Sequence, residues 1–251
     1  MRQPKNSALI KATARERLLG QYGTLIGATI LYKVIELFVN NFISLAVMPE
    51  SIITLIIFFA LAFLVSLLLS IFESGFAYLY MNVIYAQPVS VNDIFHGFRH
   101  HPDKALLIKL PFAICSIAVS GLLMGIRYLE LHKMTQSPLF IGIIAAFTVV
   151  VLIYFFMYLN FSQAYYILQD FPDKSPIDIL KMSAMIMKGN KFKFFLLILS
   201  FIPLYLFGII ALFVPLLWIS VYMSASFAAF YQDRVALFHQ NKERANTNGL
   251  N

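Results

Sequence analysis

Lys33 and Glu36 lie three residues apart inside an apolar run from about Tyr22 to Val47. At that spacing an ammonium and a carboxylate project from one face of a helix and can pair, hiding one polar stripe from lipid. Insertion scales charge roughly 2.5 to 3.5 kcal/mol for each mid-span ion. Some fifteen apolar residues at about −0.3 to −0.6 kcal/mol each can offset that, so the run still inserts. Glu73 sits in a second apolar run, Ile52 to Ala86. About 20 residues from Ile52 complete a crossing, which puts this carboxylate near the far interface; the alternative is a pair with Lys33. Intramembrane charges of this kind either tie helices together or line a pathway. Asp93, His96 and His100 fall at i, i+3, i+7, a spacing that could present three metal ligands on one face. Gly97 and Pro102 break a rigid helix there, and no HExxH pattern accompanies them, so a solvated, headgroup-facing loop is expected instead of a metal site. The single cysteine, Cys115, lies in an apolar run, where a packing role is expected, and excludes a disulfide or thiolate site within one chain. The sequence carries no Walker loop, nucleophile elbow or dinucleotide fingerprint. We therefore expect no catalytic residue, no metal and no cofactor, and a protein that is not an enzyme.

These charges sit in elements that only a bilayer explains. Hydrophobic residues make up 60% of the 251-residue chain and charged residues 12%, against about 25% charged in a soluble domain. The mean hydropathy is +0.79. The composition predicts an all-α, polytopic transmembrane bundle of about six helices arranged as three hairpins, each preceded by a cytosolic amphipathic lead-in. The first lead-in, with Leu9, Ile10, Thr13, Leu18 and Leu19 set against Lys11, Arg15, Glu16 and Arg17, reads as a helix capped by Ser7 and stopped by Gly20. It would lie on the membrane surface, and no signal-peptide grammar is present. After the short link Met48-Pro49-Glu50-Ser51 and the second run comes Gln87 to Lys104, where Ser90 or Asn92 would cap a short helix. The third span covers about Ala105 to Ile126, with Lys109 and Pro111 near its start, and an overlong fourth covers Pro138 to Leu168. The last lead-in carries Lys181, Lys188, Lys191 and Lys193, and an apolar run follows from Phe194. As one helix to Tyr231 it would be about 55 Å long at ~1.5 Å per residue, against roughly 30 Å of hydrocarbon, so it must turn back near Pro215. The polar segment 237–251 is expected to be a disordered tail.

Residues 1–236 then form one membrane domain with a threefold internal repeat, about 7–87, 88–169 and 170–236. Each unit ends in small residues and tyrosine: ESGFAYLY from Glu73, NFSQAYYI from Asn160 and SASFAAFY from Ser224. Small residues allow close helix approach, and the tyrosines suit an interface with one wet end. Nearly all Lys and Arg fall before the first span, between the second and third, between the fourth and fifth, and after the sixth. The positive-inside rule places both termini and all lead-ins in the cytosol. The net charge of +7 then belongs mostly to one face, where each basic residue near anionic lipid gains about 1 kcal/mol; nucleic acid is not needed to explain it.

The stretch from Ile179 to Arg234 resembles the closing signature of a bacterial membrane family known as domain of unknown function 975. Met187-Lys188-Gly189, Leu199-Ser200-Phe201, Trp218, Tyr222 and Ala229-Phe230-Tyr231 match its pattern, and IKATARERLLGQYG from Ile10 resembles its opening. Val221 stands where the family has proline, and Leu212-Phe213-Val214-Pro215 replaces a glycine-rich turn. The resemblance implies a bacterial cytoplasmic-membrane protein and names no activity.

Two functions fit these residues. The first is a non-enzymatic module binding anionic membrane lipid, or a protein partner, through Lys181, Lys188, Lys191, Lys193, Arg15 and Arg17. The second is a transporter or channel with a polar seam at Lys33, Glu36 and Glu73.

Overall fold

The computed structural model describes residues 4–47 and 51–248, and among them every regular element is helical. Most of the Met48–Ser51 link, Arg2 and residues 249–251 lie outside the described residues. In chain order the helices are α1 (Ser7–Leu18), α2 (Tyr22–Ala46), α3 (Ile52–Ile84), α4 (His96–Arg99), α5 (Pro102–Leu131), α6 (Pro138–Phe161), α7 (Ala164–Asp170), α8 (Pro176–Met187), α9 (Lys191–Leu199), α10 (Ile202–Ile210) and α11 (Leu216–Asn248). A 3₁₀ turn, Val91–Phe95, leads into α4. Asn6, not Ser7, caps α1: its side chain accepts from the Leu9 N–H at 2.9 Å. Gly20, at φ +81°, ends the turn that follows. Ser51, Ser90, Ser137 and Ser175 cap later elements.

Among the described residues five stretches are long and apolar enough to cross a membrane: Tyr22–Ile43, Ile52–Ile84, Pro102–Leu131, Pro138–Asp170 and Lys191–Ile210. These mark the chain as a membrane protein. The fourth is interrupted at Ser162-Gln163, and the fifth at Ser200-Phe201, just before Pro203. The expected sixth span, the first part of α11, falls outside this set for a physical reason: it faces protein more than lipid. Val221, Ala225, Ser226, Ala228, Ala229, Phe230 and Tyr231 are all buried. Small and hydroxylated side chains let α1, α2, α3, α8 and α10 pack against it. The turn before it occupies Ala211 to Pro215, with Leu212 and Phe213 at positive φ.

Burial is uneven along the spans. Every buried residue of α3 lies between Ser70 and Ile84. Near the link between α2 and α3, Leu37, Phe38, Leu45, Ile52, Ile53 and Ile56 are exposed, an apolar surface suited to hydrocarbon. The packed end is the one that carries α1, the 88–101 link and α8, and with them most of the lysines and arginines. Here the lead-ins differ from the expected membrane-surface helices. Ile10, Ala14 and Leu18, one stripe at i, i+4, i+8, are buried against α11 and α3. Lys11 Nζ donates to the Ser200 carbonyl at 2.9 Å and lies 4.1 Å from the centre of the Phe201 ring. On α8 the buried residues include Ile179, Met182 and Ile186, leaving Ile177 and Met185 exposed. Helical stripes that can reach protein are buried there, because the ends of α3 and α11 project past the hydrocarbon thickness and offer an apolar wall.

The link between α3 and α5 is also docked. A Cβ at Gly75 would collide with the Ile94 carbonyl, and one at Gly97 with the Ile71 carbonyl. The two glycines therefore let backbone meet backbone on both sides of the contact. Two further expectations change. Tyr80 and Tyr231 are core residues and not interface anchors, and the partly buried Tyr166 packs against the core, stacked on Tyr231 at 5.4 Å. The segment 237–248, expected to be disordered, continues α11, since its Lys, Glu, Arg, Gln and Ala residues are good helix formers.

Candidate functional site

A cavity of about 310 Å³ opens inside the bundle where α2, α3, α7 and α11 meet. From α2 come Thr29, Tyr32 and Lys33, which share a face at i, i+3, i+4. From α3 come Glu73, Phe76, Ala77 and Tyr80 at i, i+3, i+4, i+7. The α6–α7 break contributes Ser162, and the following turn Tyr165 and Tyr166; α11 adds Ser220 and Ser224, one turn apart. The break matters because it releases the chain from one helical phase. It lets Ser162 and two adjacent tyrosines reach the same space.

Two ion pairs flank the cavity. Lys33 Nζ is 2.6 Å from Glu36 Oε2, with the lysine side chain 62% exposed and the glutamate 30%. Glu73 Oε1 accepts from Lys109 Nζ at 2.5 Å, with exposures of 35% and 20%. Lys33 and Glu73 thus line one cavity without pairing with each other. Glu36 stands behind Lys33, and Lys109, noted in the sequence only as a residue near the start of a span, supplies the partner of Glu73. The charges cancel, two against two.

Aromatic faces and hydroxyl edges form the rest of the wall. Tyr32 meets Phe76 edge to face at 5.3 Å. Thr29 and Ser224 flank the Tyr80 hydroxyl. The Tyr165 hydroxyl lies beside Glu73 and donates to the Ala105 carbonyl at 3.4 Å. Behind the wall, Gln169 Nε2 donates to Ser74 Oγ at 2.9 Å, tying α7 to α3. Tyr231 donates to Asp170 Oδ2 at 2.6 Å, tying α11 to α7. Such an arrangement can accept and donate hydrogen bonds on a largely apolar surface, which is the chemistry of reversible binding.

The remaining candidates sit at the basic end. Lys181, Lys188 and Lys193 are exposed and Lys191 is half-buried. Arg15 and Arg17 are exposed on α1, Arg15 lying 6.0 Å from the centre of the Tyr222 ring. Asp93, His96 and His100 form no ligand set: among the described residues no group of three His, Cys, Asp or Glu side chains could hold a metal ion. His96 instead stacks between Tyr78, at 3.6 Å, and His100, at 4.0 Å. Burial, together with the neighbouring His100, lowers its pKa to about 4. Cys115 packs with its sulfur 3.7 Å from Met157 Sδ.

Sequence reasoning missed the hydroxyl residues of the cavity as binding groups. The signal was present: Thr29 precedes Lys33 by one turn, Ser220 precedes Ser224 by one turn, and all three tyrosine-rich endings place lining residues here.

A family described as protein of unknown function (DUF975) matches residues 1–236. No curated protein and no solved structure matches the chain.

Proposed function

This chain belongs to the DUF975 family, whose description assigns no activity, and we propose from its cavity that it is a non-enzymatic membrane protein that binds a small solute inside the helix bundle, as a transporter does. The observation that carries the reading is a largely apolar cavity between the helices of the bundle, edged by hydroxyls and balanced charges. Two cations and two anions at its edge cancel, so a neutral or zwitterionic solute enters without leaving an unpaired charge, whereas a simple ion would. The aromatic faces take an apolar body, and the hydroxyls of Thr29, Tyr80, Ser220 and Ser224 take its polar groups. The broken helix at Ser162-Gln163 fits this role, because irregular backbone within a bundle is tolerated where it borders a cavity.

The orientation of the proposal follows the charges, with the basic end, both termini and the 88–101 link in the cytosol of a bacterial cell. A second reading is supported by the exposed Lys181, Lys188 and Lys193 beside exposed Ile177, Met185 and Phe192. These lysines hold the basic end against anionic headgroups, mainly by charge, since most of the apolar stripe of α8 is spent on the bundle.

The test is a panel of neutral and zwitterionic solutes screened by thermal shift on the purified protein, each hit then measured by calorimetry. A true occupant loses at least tenfold in affinity when Ser220→Leu fills part of the cavity, and a similar factor with Tyr80→Phe, while the melting temperature without solute stays near wild type. Hits that bind both variants as they bind the parent would sink the cavity reading.

A further inference from the structure

At the basic end a second cavity, of about 240 Å³, lies between the start of α1, the first turn of α9 and the middle of α11. Three cationic side chains line it, Lys5, Lys193 and Arg234, with Leu196 and Phe230 forming an apolar side. Arg234 is the informative one. It is only 2% exposed, and its guanidinium lies 4.8 Å from the centre of the Phe230 ring. One terminal nitrogen donates to the Lys5 carbonyl at 3.0 Å, and the other is 3.7 Å from Asp233 Oδ2. Asp233 Oδ2 also accepts from the Lys5 backbone N–H at 3.1 Å. The Nε–H of Arg234 is buried and has no hydrogen-bond partner among the described residues.

A buried donor of a charged group left unmade is costly, and natural structures fill such positions with water, an ion or a ligand. Here the surroundings favour an anion. The lining carries three positive charges against the single carboxylate of Asp233 behind it. The N-terminus of α1, whose residues Asn6 and Ser7 also line the cavity, adds its positive dipole end. The Nε edge of a guanidinium is one half of the fork that grips phosphate oxygens. The position narrows the anion further. Leu196 both lines the cavity and is exposed, and Phe192, Leu196 and Leu199 form one exposed stripe at i, i+4, i+7 along α9. A phosphate held at Lys193 and Arg234 would therefore have an apolar track leading from it along a membrane-spanning helix.

We propose that Lys5, Lys193 and Arg234 form a binding site for the phosphate group of an anionic phospholipid, with its acyl chains lying along Phe192, Leu196 and Leu199. The site is separate from the solute cavity and does not depend on its occupant. The side chains of Lys5 and Lys193 contribute attraction; Arg234 adds the geometric fit, and by holding the Lys5 carbonyl it also fastens the start of α1 to α11.

The full-length protein in phosphatidylcholine discs containing a minor fraction of phosphatidylglycerol tests this, with retained lipids counted by native mass spectrometry. Wild type should keep one phosphatidylglycerol per chain in preference to phosphatidylcholine. The pair Lys5→Gln with Lys193→Gln should weaken that retention roughly 30-fold, two basic contacts at about 1 kcal/mol each. Arg99→Gln with Lys174→Gln removes the same charge from exposed positions of the same end and should change retention less than about threefold. Arg234→Lys keeps the charge but removes the Nε donor, and should lower retention with the melting temperature as a check on folding. Three results overturn the proposal: wild-type retention by the Lys5/Lys193 variant, equal loss in both double variants, which would mean diffuse attraction only, or displacement of the lipid by millimolar inorganic phosphate, which would assign the site to a free anion.

Discussion

Glu73 and Lys109 meet across α3 and α5 with about a third and a fifth of their side chains exposed, so each has lost much of its solvent and depends on the other for compensation. Glu73→Gln leaves Lys109 without its counter-charge and should cost roughly 1–3 kcal/mol, less than a fully buried pair would because water still reaches both groups. Replacing both, Glu73→Leu with Lys109→Met, should recover most of that loss, read as the midpoint of unfolding in a denaturing detergent. A single variant as stable as wild type would show the pair to be energetically idle. Lys33 behaves differently: at 62% exposure its pairing with Glu36 is local, within one helix, and its removal bears on cavity charge more than on folding. Spacing within one helix made the Lys33–Glu36 pair legible in the sequence. The partner of Glu73 was not, since Lys109 is 36 residues away and the match depends on the register of two packed helices, which no periodicity encodes.

Between α3 and α5, the Val91–Arg99 stretch is a docked element and not the solvated loop its polar residues suggest. Ile94 is buried, and Gly75 and Gly97 admit the opposing carbonyls. Sequence gave the Ser90 cap, but the docking was hidden because a close backbone approach leaves no trace beyond two glycines. The stack of Tyr78, His96 and His100 joins this element to α3, with Asp93 and Arg99 the other charged neighbours of His96. Desolvation and His100 hold His96 neutral down to about pH 4, against an ordinary value of 6.5; Arg99 acts in the same direction and Asp93 opposes them. The undocked segment therefore binds a proton in the window from 6.5 to 4 that the docked one refuses. Docking is fully favourable above about pH 6.5 and weakens as pH falls through that window. As pH falls from 7 to 5, hydrogen exchange of residues 88–101 should slow less than base-catalysed chemistry alone dictates, an excess of exchange over the chemical trend. His96→Phe, which keeps a stacked ring without the titration, should remove the excess; an unchanged excess would place the sensitivity elsewhere.

Across the whole molecule, the all-helical class and most span boundaries were readable from hydropathy and caps, because bilayer thickness imposes length directly. What hydropathy could not rank is how deeply each helix is buried, and it undervalued α11 because a helix largely covered by protein needs small side chains more than apolar ones. The orientation is open to a direct measurement. In a Cys115→Ser background, single cysteines at Ser90, Lys188 and His239 should all be blocked by reagent admitted only to the cytosolic side, while a cysteine at Lys133 should be reached from outside. External labelling at Lys188 would reject the proposed orientation.

The burial of α11 also sets an order of assembly. It follows every other helix in the chain, yet α1 rests on it: the Tyr222 hydroxyl donates to the Lys11 carbonyl across 211 positions. During synthesis the stripe of Ile10, Ala14 and Leu18 emerges long before its seat exists. Spans that pack on one another without α11, such as α3, α5 and α6, can meet as they insert, while α1 waits at the membrane surface until α11 arrives. Seating of α1 is therefore a late, post-insertion event, and the nascent protein passes through a state in which its first helix is not yet docked on α11.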